Sequence, residues 1–426
     1  MRAFQVFNVL RQGATILIAI LLAKSALGTE GIGIYEMLLY IGFTLTAFWI
    51  AGLMQGFLAQ YPQLAPARQP AFLFNAYLLF LGLSTLVLSI LWVAKTPILT
   101  ALASQPDLPY YELFILFLWL NAPTFLVENI YLLLNRPAEI FRFGIWSFGL
   151  QVGATLAPIY LGYGLQGAFY ALITLAAGRH IWLLYLLWKY GAFEWQPRLI
   201  SQWALMSIPL ILYALMGVFN QSFDNWLVNF RYAGDEHLFA IFRYGARELP
   251  FALAISNAFG SAMLPEVAGN LENALPSIRD KSRKLFHLLF PLSIFLVLTS
   301  KWIFPLVFSN SFEDSIILFN IFLLVTISRL VFSRPILVGL NANRLVFYIS
   351  LVELAFHVVL GFVLAHFMGL VGIAIATVAA HTLEKILLCW FLYRKFGISL
   401  SQYTDMRWFL GYSMGMVAGF VVAVAG

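Results

Sequence analysis

Charge is what this chain has least of. Only 10% of its 426 residues are Asp, Glu, Lys or Arg, against about 25% in an ordinary soluble domain. That scarcity excludes a soluble globular protein, a disordered chain and a nucleic-acid-binding domain. Cysteine is nearly absent too: Cys389 stands alone, so no intrachain disulfide can form. No P-loop is present, which excludes self-powered ATP-driven work. HExxH is missing, and the six histidines are dispersed, forming no metal set with the one cysteine. Long loops are lacking as well. The longest predicted connection, 265–284, is too short for a soluble catalytic domain. The start, MRAFQVFNVLRQGATILIAILLA, is interrupted by Arg11 and Gln12 and lacks an A-x-A site, so it reads as a retained first span rather than a signal peptide.

What is present is apolar. The hydrophobic set makes up 62% of the chain, aromatics 17%, and the mean hydropathy is +0.87. A helix crosses a bilayer with about 20 apolar residues, so the composition fits an all-α, polytopic membrane protein. Hydropathy predicts spans at 6–26, 36–60, 71–95, 111–134, 141–161, 166–188, 203–230, 240–264, 285–308, 315–340, 345–366, 370–393 and 407–425. The net charge of +6 reads as the cytoplasmic excess of basic residues in membrane proteins rather than as a nucleic-acid footprint. The N-terminus and every second connection carry most of the Lys and Arg, including Arg279, Lys281, Arg283 and Lys284. The alternate connections hold only Lys24, Lys95 and Arg231. This asymmetry predicts a cytoplasmic N-terminus.

The sequence also repeats. Gly28-Thr29-Glu30 matches Gly234-Asp235-Glu236, Asn135 matches Asn341, and Lys189-Tyr190-Gly191 matches Lys395-Phe396-Gly397, each at an offset of 206. Gly164-Leu165-Gln166-Gly167 matches Gly369-Leu370-Val371-Gly372 at 205. Each match falls at the equivalent connection. Six spans per repeat give both halves the same orientation, so the repeats are parallel. The expected domains are a six-helix lobe at 1–200, a second at 201–400, and an additional segment at 401–426. Transporters of this plan place substrate between the halves, which favours transport over catalysis.

Charges inside apolar spans are costly and mark candidate sites, although those near span ends also snorkel to headgroups and polar stripes also join helices. Three clusters stand out. The first span carries Asn8, Arg11 and Gln12; the seventh carries Asn220, Gln221, Asp224, Asn225 and Asn229. The eighth opens FRYGARELP, with Arg243 and Arg247 four apart on one helical face and Glu248 and Pro250 following. Several Arg in one cavity favour an anion, because the guanidinium fork engages two phosphate oxygens. Arg11, Arg243, Arg247 and Glu248 are therefore the candidate substrate-binding residues. Glu36 and Glu248 are candidate counter-ions to the Arg set. Asp224 and Glu36 are the ion-coupling candidates, for H+ or Na+; a structural pairing of Asp224 with an Arg is an equal alternative. No cofactor is expected. Arg179, His180, Arg329, Glu353, His357, His381, Glu384 and Lys385 read mainly as structural, with His381 and Glu384 spaced to pair. Glu128 is spaced to pair with Arg136.

The stretches LLAKSALGTEGIGIYEMLLYIGF and FDNWLVNFRYAGDEHLFAIFRYGARELP, with the G-x-x-G turns at 164–167 and 369–372, resemble the multidrug/oligosaccharidyl-lipid/polysaccharide (MOP) exporter superfamily. Within it, the chain is similar to the polysaccharide transporter branch, the Wzx-type flippases. The resemblance covers the first twelve spans. It implies a MATE-like V shape of two six-helix lobes in the bacterial inner membrane. It also implies a polyprenyl-diphosphate-linked glycan as substrate, moved from the cytoplasmic to the periplasmic leaflet for surface polysaccharide or lipopolysaccharide synthesis. A monomer is expected, working beside other polysaccharide assembly proteins. The thirteenth segment departs from the twelve or fourteen spans more usual in the family. The alternatives are a cation-coupled drug antiporter, which calls for a carboxylate-dominated cavity, a peptidoglycan-precursor flippase, and a membrane glycan polymerase or ligase.

Overall fold

The computed structural model describes residues 2–425, with side chains described for 5–249 and 252–425. Among the described residues every regular element is helical and none is a strand. Hydrocarbon offers no hydrogen-bond partners, so an apolar chain satisfies its backbone within helices. The helices are α1 (Arg2–Ala23), α2 (Gly28–Gln60), α3 (Gln69–Val93), α4 (Lys95–Ala103), α5 (Tyr111–Asn121), α6 (Leu126–Leu133), α7 (Pro137–Tyr160), α8 (Gly164–Tyr190) and α9 (Pro197–Arg231). They continue as α10 (Glu236–Gly245), α11 (Pro250–Gly269), α12 (Leu271–Val307), α13 (Ser315–Leu323), α14 (Val325–Arg329), α15 (Ser333–Gly339), α16 (Asn343–Phe396), α17 (Leu400–Tyr403) and α18 (Met406–Ala425). Ten helical stretches among the described residues are long and apolar enough to cross a membrane. One of these, α16, is two segments joined at Gly369, whose backbone is not helical. The protein is a multi-pass membrane protein. Large side chains such as Trp188, Trp302 and Phe367 are exposed on it, a surface suited to lipid rather than water.

Each predicted span has a helical counterpart, but three are interrupted. The fourth is α5 and α6 joined by a 3-10 turn at Ala122–Phe125, where Pro123 lacks the N–H an α-helix needs. The tenth is divided among α13, α14 and α15, and residues 330–332 are non-helical. The eighth, expected to be continuous, is broken between α10 and α11 at residues 246–249. Pro250 opens α11 at its first position, and Leu249 before it is extended at φ −59°, ψ 115°, as a residue preceding proline prefers. The predicted connection 265–284 is also helical for most of its length. α12 begins at Leu271, capped by the Asn270 side chain accepting from the Asn273 N–H at 3.1 Å.

The repeat reappears as backbone conformation. Gly28 and Gly234 have φ of 67° and 75°, Asn135 and Asn341 of 52° and 58°, and Gly164 and Gly369 both of 59°. A left-handed residue ends one helix and redirects the chain into the next, and glycine or asparagine adopts it at least cost. The two asparagine turns even share their bonds. Arg136 N–H donates to Tyr131 O at 2.9 Å, and Ala342 N–H to Leu337 O at 2.9 Å. The fourth match differs: Gly397 is left-handed, whereas Gly191 is not.

Packing divides the chain into two compact units, Met1–Ala240 and Ile241–Gly426. In the first, α9 packs along α2 at Gly52 and Gly56. A Cβ on Gly52 would lie 2.5 Å from the Ile211 Cα, and one on Gly56 2.1 Å from the Ser207 Oγ. This is the small-xxx-small device of close helix pairs. Trp203 on α9 donates to Leu53 O at 3.2 Å and stacks among Phe57, Phe72 and Phe80. Packing therefore groups α9 with the first unit, while the lobe limits at 200 and 400 concern repeat symmetry. In the second unit, α18 packs along α12, with Tyr412 stacked on Phe290 at 5.5 Å and bonded to His287 at 2.9 Å.

Candidate functional site

The six candidate residues divide between the units, three in each. In the first, Arg11 is exposed on α1 and donates to Asn8 Oδ1 at 2.9 Å, one helical turn away. Its charge also reaches Glu128. Glu36 is buried on α2 beside Tyr35. Asp224 is buried on α9, in a stretch whose polar groups hold helices together. Ser222 and Thr44 share a hydrogen bond of 2.9 Å between α9 and α2, and Asn229 and Trp226 donate to Leu102 O and Ala101 O of α4. Much of the seventh span's polar stripe is thus committed to helix packing.

In the second unit, Arg243 closes α10 and Arg247 lies in the break that follows. They are not two steps along one helical face, as the sequence spacing suggests. The break still keeps them adjacent: Arg247 Nε donates to the Arg243 carbonyl at 2.8 Å, and its guanidinium lies 4.6 Å from the centre of the Tyr244 ring. Tyr244 is fully buried and stacked on Phe312 at 4.3 Å, so the surface under Arg247 is rigid. Both arginines are partly exposed. Glu248, expected to serve the arginines of its own segment, forms its ion pair with Arg329 of α14, one Nη2 reaching both carboxylate oxygens. Sequence proximity pointed to the wrong cation, because the break turns residue 248 toward the tenth span.

Two further charge clusters were read as mainly structural from sequence. In the first unit, Arg179 is buried and donates to Asn121 Oδ1 at 3.1 Å, Ser147 O at 2.7 Å and Gln151 Oε1 at 2.9 Å. Its charge also acts on buried Glu128. In the second unit, Glu384 lies 3.4 Å from Arg334 and 2.8 Å from Lys385. His381 Nδ1 lies 3.1 Å from Glu353 Oε1, so the imidazole pairs across to the other half of α16 rather than along its own helix with Glu384. The repeat offsets could have shown the relation between these clusters. Counting from the shared asparagine and glycine turns places Glu128 on Arg334 and Arg179 on Glu384. The equivalent positions carry charges of exchanged sign: Glu128 and Arg179 act on each other through their charges, and Arg334 and Glu384 form an ion pair.

No protein-family model matches the sequence, and no curated protein matches it. Solved structures do. Lipid II flippase MurJ in an inward closed conformation superposes with a TM-score of 0.72 at 14% identity, covering 99% of this chain and 92% of that one. The two chains share a fold. An inward-facing multidrug resistance MATE family transporter of the MOP superfamily gives 0.61 at 16% identity, over 95% and 94% of the two chains. A MOP superfamily transporter from Pyrococcus furiosus, for which a reversed polarity of the binding pocket suggests a different function, gives 0.59 at 14%, over 98% and 94%. The MOP fold is therefore shared across nearly the whole length of this chain. These likenesses reach the superfamily fold and not its polysaccharide branch.

Proposed function

We propose that the protein is a flippase that carries a polyprenyl-diphosphate-linked oligosaccharide across the bacterial inner membrane, from the cytoplasmic to the periplasmic leaflet, by alternating access. The observation that carries this reading is the Arg243–Arg247 pair at the helix break. Two permanent cations sit together on partly exposed surface, one lying over a buried tyrosine ring. Guanidinium groups so held are suited to a diphosphate, which accepts paired N–H donors. Arg11 adds a third exposed guanidinium. Asp224 and Glu36 retain a place as ion carriers only if they exchange H+ or Na+ during the cycle. Binding moves the conformational equilibrium only through unequal affinity for its states, so net direction needs a coupled ion or removal of product.

The likeness to the lipid II flippase favours, as second reading, a peptidoglycan precursor as cargo. That substrate also carries a polyprenyl diphosphate, so the arginine pair serves both. The test is flipping of a fluorescent polyprenyl-diphosphate oligosaccharide in proteoliposomes, with wild type beside Arg243→Ala and Arg247→Ala. Each lost charge-assisted contact, worth roughly 1.5–3 kcal/mol, predicts a fall of about 10- to 100-fold with unchanged folding. Full activity in both variants removes the pair from the mechanism. Absence of flipping, with ion-driven export of a cationic dye instead, overturns the proposal. Competition between glycan and muropeptide head groups separates the two cargoes.

A further inference from the structure

The repeat places two differently furnished sites on one frame. Counted from the shared turns, Ser147 falls on Glu353, Gln151 on His357, Ala176 on His381 and Arg179 on Glu384. The burial pattern agrees: Ser147, Arg179, Leu183 and Leu187 are buried, as are Glu353, Glu384, Leu388 and Leu392. In the first repeat the frame is filled by Arg179, held by two amides and a backbone carbonyl, with its one carboxylate, Glu128, under the charges of Arg179 and Arg11. In the second it is filled by two carboxylates and two histidines.

The second set converges. One ligating atom each from Glu353, His381 and Glu384 lies within 4.8 Å of the others. Such a group has the donors for a metal ion, but its charge is already balanced. Glu384 has Arg334 at 3.4 Å and Lys385 at 2.8 Å. With a neutral imidazole, two cations face two carboxylates. A divalent ion would leave the group with two surplus charges beside an ammonium; a proton leaves one. The proton also has a place to go. Glu353 is the carboxylate taken by neither Arg334 nor Lys385, and its Oε1 lies 3.1 Å from His381 Nδ1. A proton taken up by the imidazole makes an imidazolium that completes an ion pair with Glu353. The His381 side chain is 26% exposed while those of Glu353 and Glu384 are 6% and 5% exposed, so the imidazole is the most accessible group of the three. The other charged or titratable groups on the surrounding elements are His357, which meets Thr377 at 3.2 Å, Arg329, which is engaged by Glu248, and Cys389, which feels Lys385.

We propose that His381 and Glu353, flanked by Glu384, Lys385 and Arg334, form a proton-binding site that couples the transport cycle to protons. Imidazole is the side chain whose ordinary protonation change lies nearest physiological pH. The coupling half of this proposal rests on the flippase reading above; proton binding does not. Two measurements keep them apart. In proteoliposomes with an imposed pH difference, the steady-state ratio of labelled lipid between leaflets should shift by up to about tenfold per pH unit, the limit set by one coupled proton. In His381→Gln the lipid should still equilibrate, with a ratio near one. A wild-type ratio indifferent to the gradient, or a His381→Gln ratio equal to wild type, overturns the coupling. Separately, 15N-histidine spectra of the substrate-free protein between pH 5 and 9 should show a titrating ring that is missing in His381→Gln. Its midpoint should move to lower pH in Glu353→Gln, where the carboxylate charge is gone. The midpoint shift supports the site even if no lipid is flipped. A His381 ring that does not titrate, or a midpoint unmoved by Glu353→Gln, overturns it.

Discussion

At the scale of single residues, the charges inside the membrane are organised by partners distant in sequence. Glu248 is joined to Arg329, 81 residues away, and each side chain is about a quarter exposed. Removing one member of such a pair leaves the other charge without its compensation. The cost is about 3–5 kcal/mol for a fully buried pair and is reduced here by the partial exposure. Glu248→Gln should therefore lower the thermal midpoint of the purified protein by several degrees, and Glu248→Gln with Arg329→Gln should recover much of that loss. A double variant no better than the worse single one would show that the pair is not an energetic unit. The sequence identified Arg243 and Arg247 as an adjacent pair, and they are adjacent. It attached Glu248 to them because hydropathy reads 240–264 as one helix. Pro250 instead opens a new helix, and the residue before it is extended.

At the scale of elements, the turns between helices were the most legible feature. Asn135 and Asn341 were matched from sequence at an offset of 206, and both hold left-handed backbone in the same bonded turn. Asparagine tolerates that conformation; a β-branched residue does not, at a cost of roughly 1–2 kcal/mol. Asn341→Val should lower thermal stability by that amount, while Asn341→Gly should be close to neutral, as measured by denaturation in detergent. Equal losses in both would mean that the asparagine side chain, not its backbone, is what the turn requires. The interruptions at 122–125, 246–249 and 330–332 were less legible. A short break costs little in average hydropathy, and only Pro123 and Pro250 announce two of the three. The close pairing of α2 with α9 rests on Gly52 and Gly56, a spacing that many apolar helices also carry without using it.

At the scale of the whole molecule, ten membrane-competent helical stretches and the MOP fold define a polytopic protein whose two repeats share a frame and differ in what fills it. The charge asymmetry of the connections carries a prediction of its own. A single cysteine introduced at Asp280 in a Cys389→Ala background should be labelled by an impermeant maleimide only from the cytoplasmic side. One placed at Asp107, in the connection that holds Lys95, should be labelled only from the opposite side. Labelling of both from one side would overturn the assigned orientation. The exchanged pairs Glu128–Arg179 and Arg334–Glu384 belong to this scale as well. They occupy equivalent positions of the two repeats, and their relation appears only when the repeats are compared.

The sequence by itself determined that the chain is helical and membrane-embedded, and where most of the repeated turns lie. Those properties follow from local quantities: the transfer free energy of each apolar stretch and the backbone preference of each turn residue. The tertiary structure alone decided which charges meet, where the eighth span breaks, and which helices close on glycine. Those outcomes depend on the rotation and depth of each helix against its neighbours, which no window of adjacent residues contains. The same intramembrane charges could have been distributed among several partners. Packing selected one set, and in doing so separated the exposed arginines suited to an anion from the histidine–carboxylate group suited to a proton.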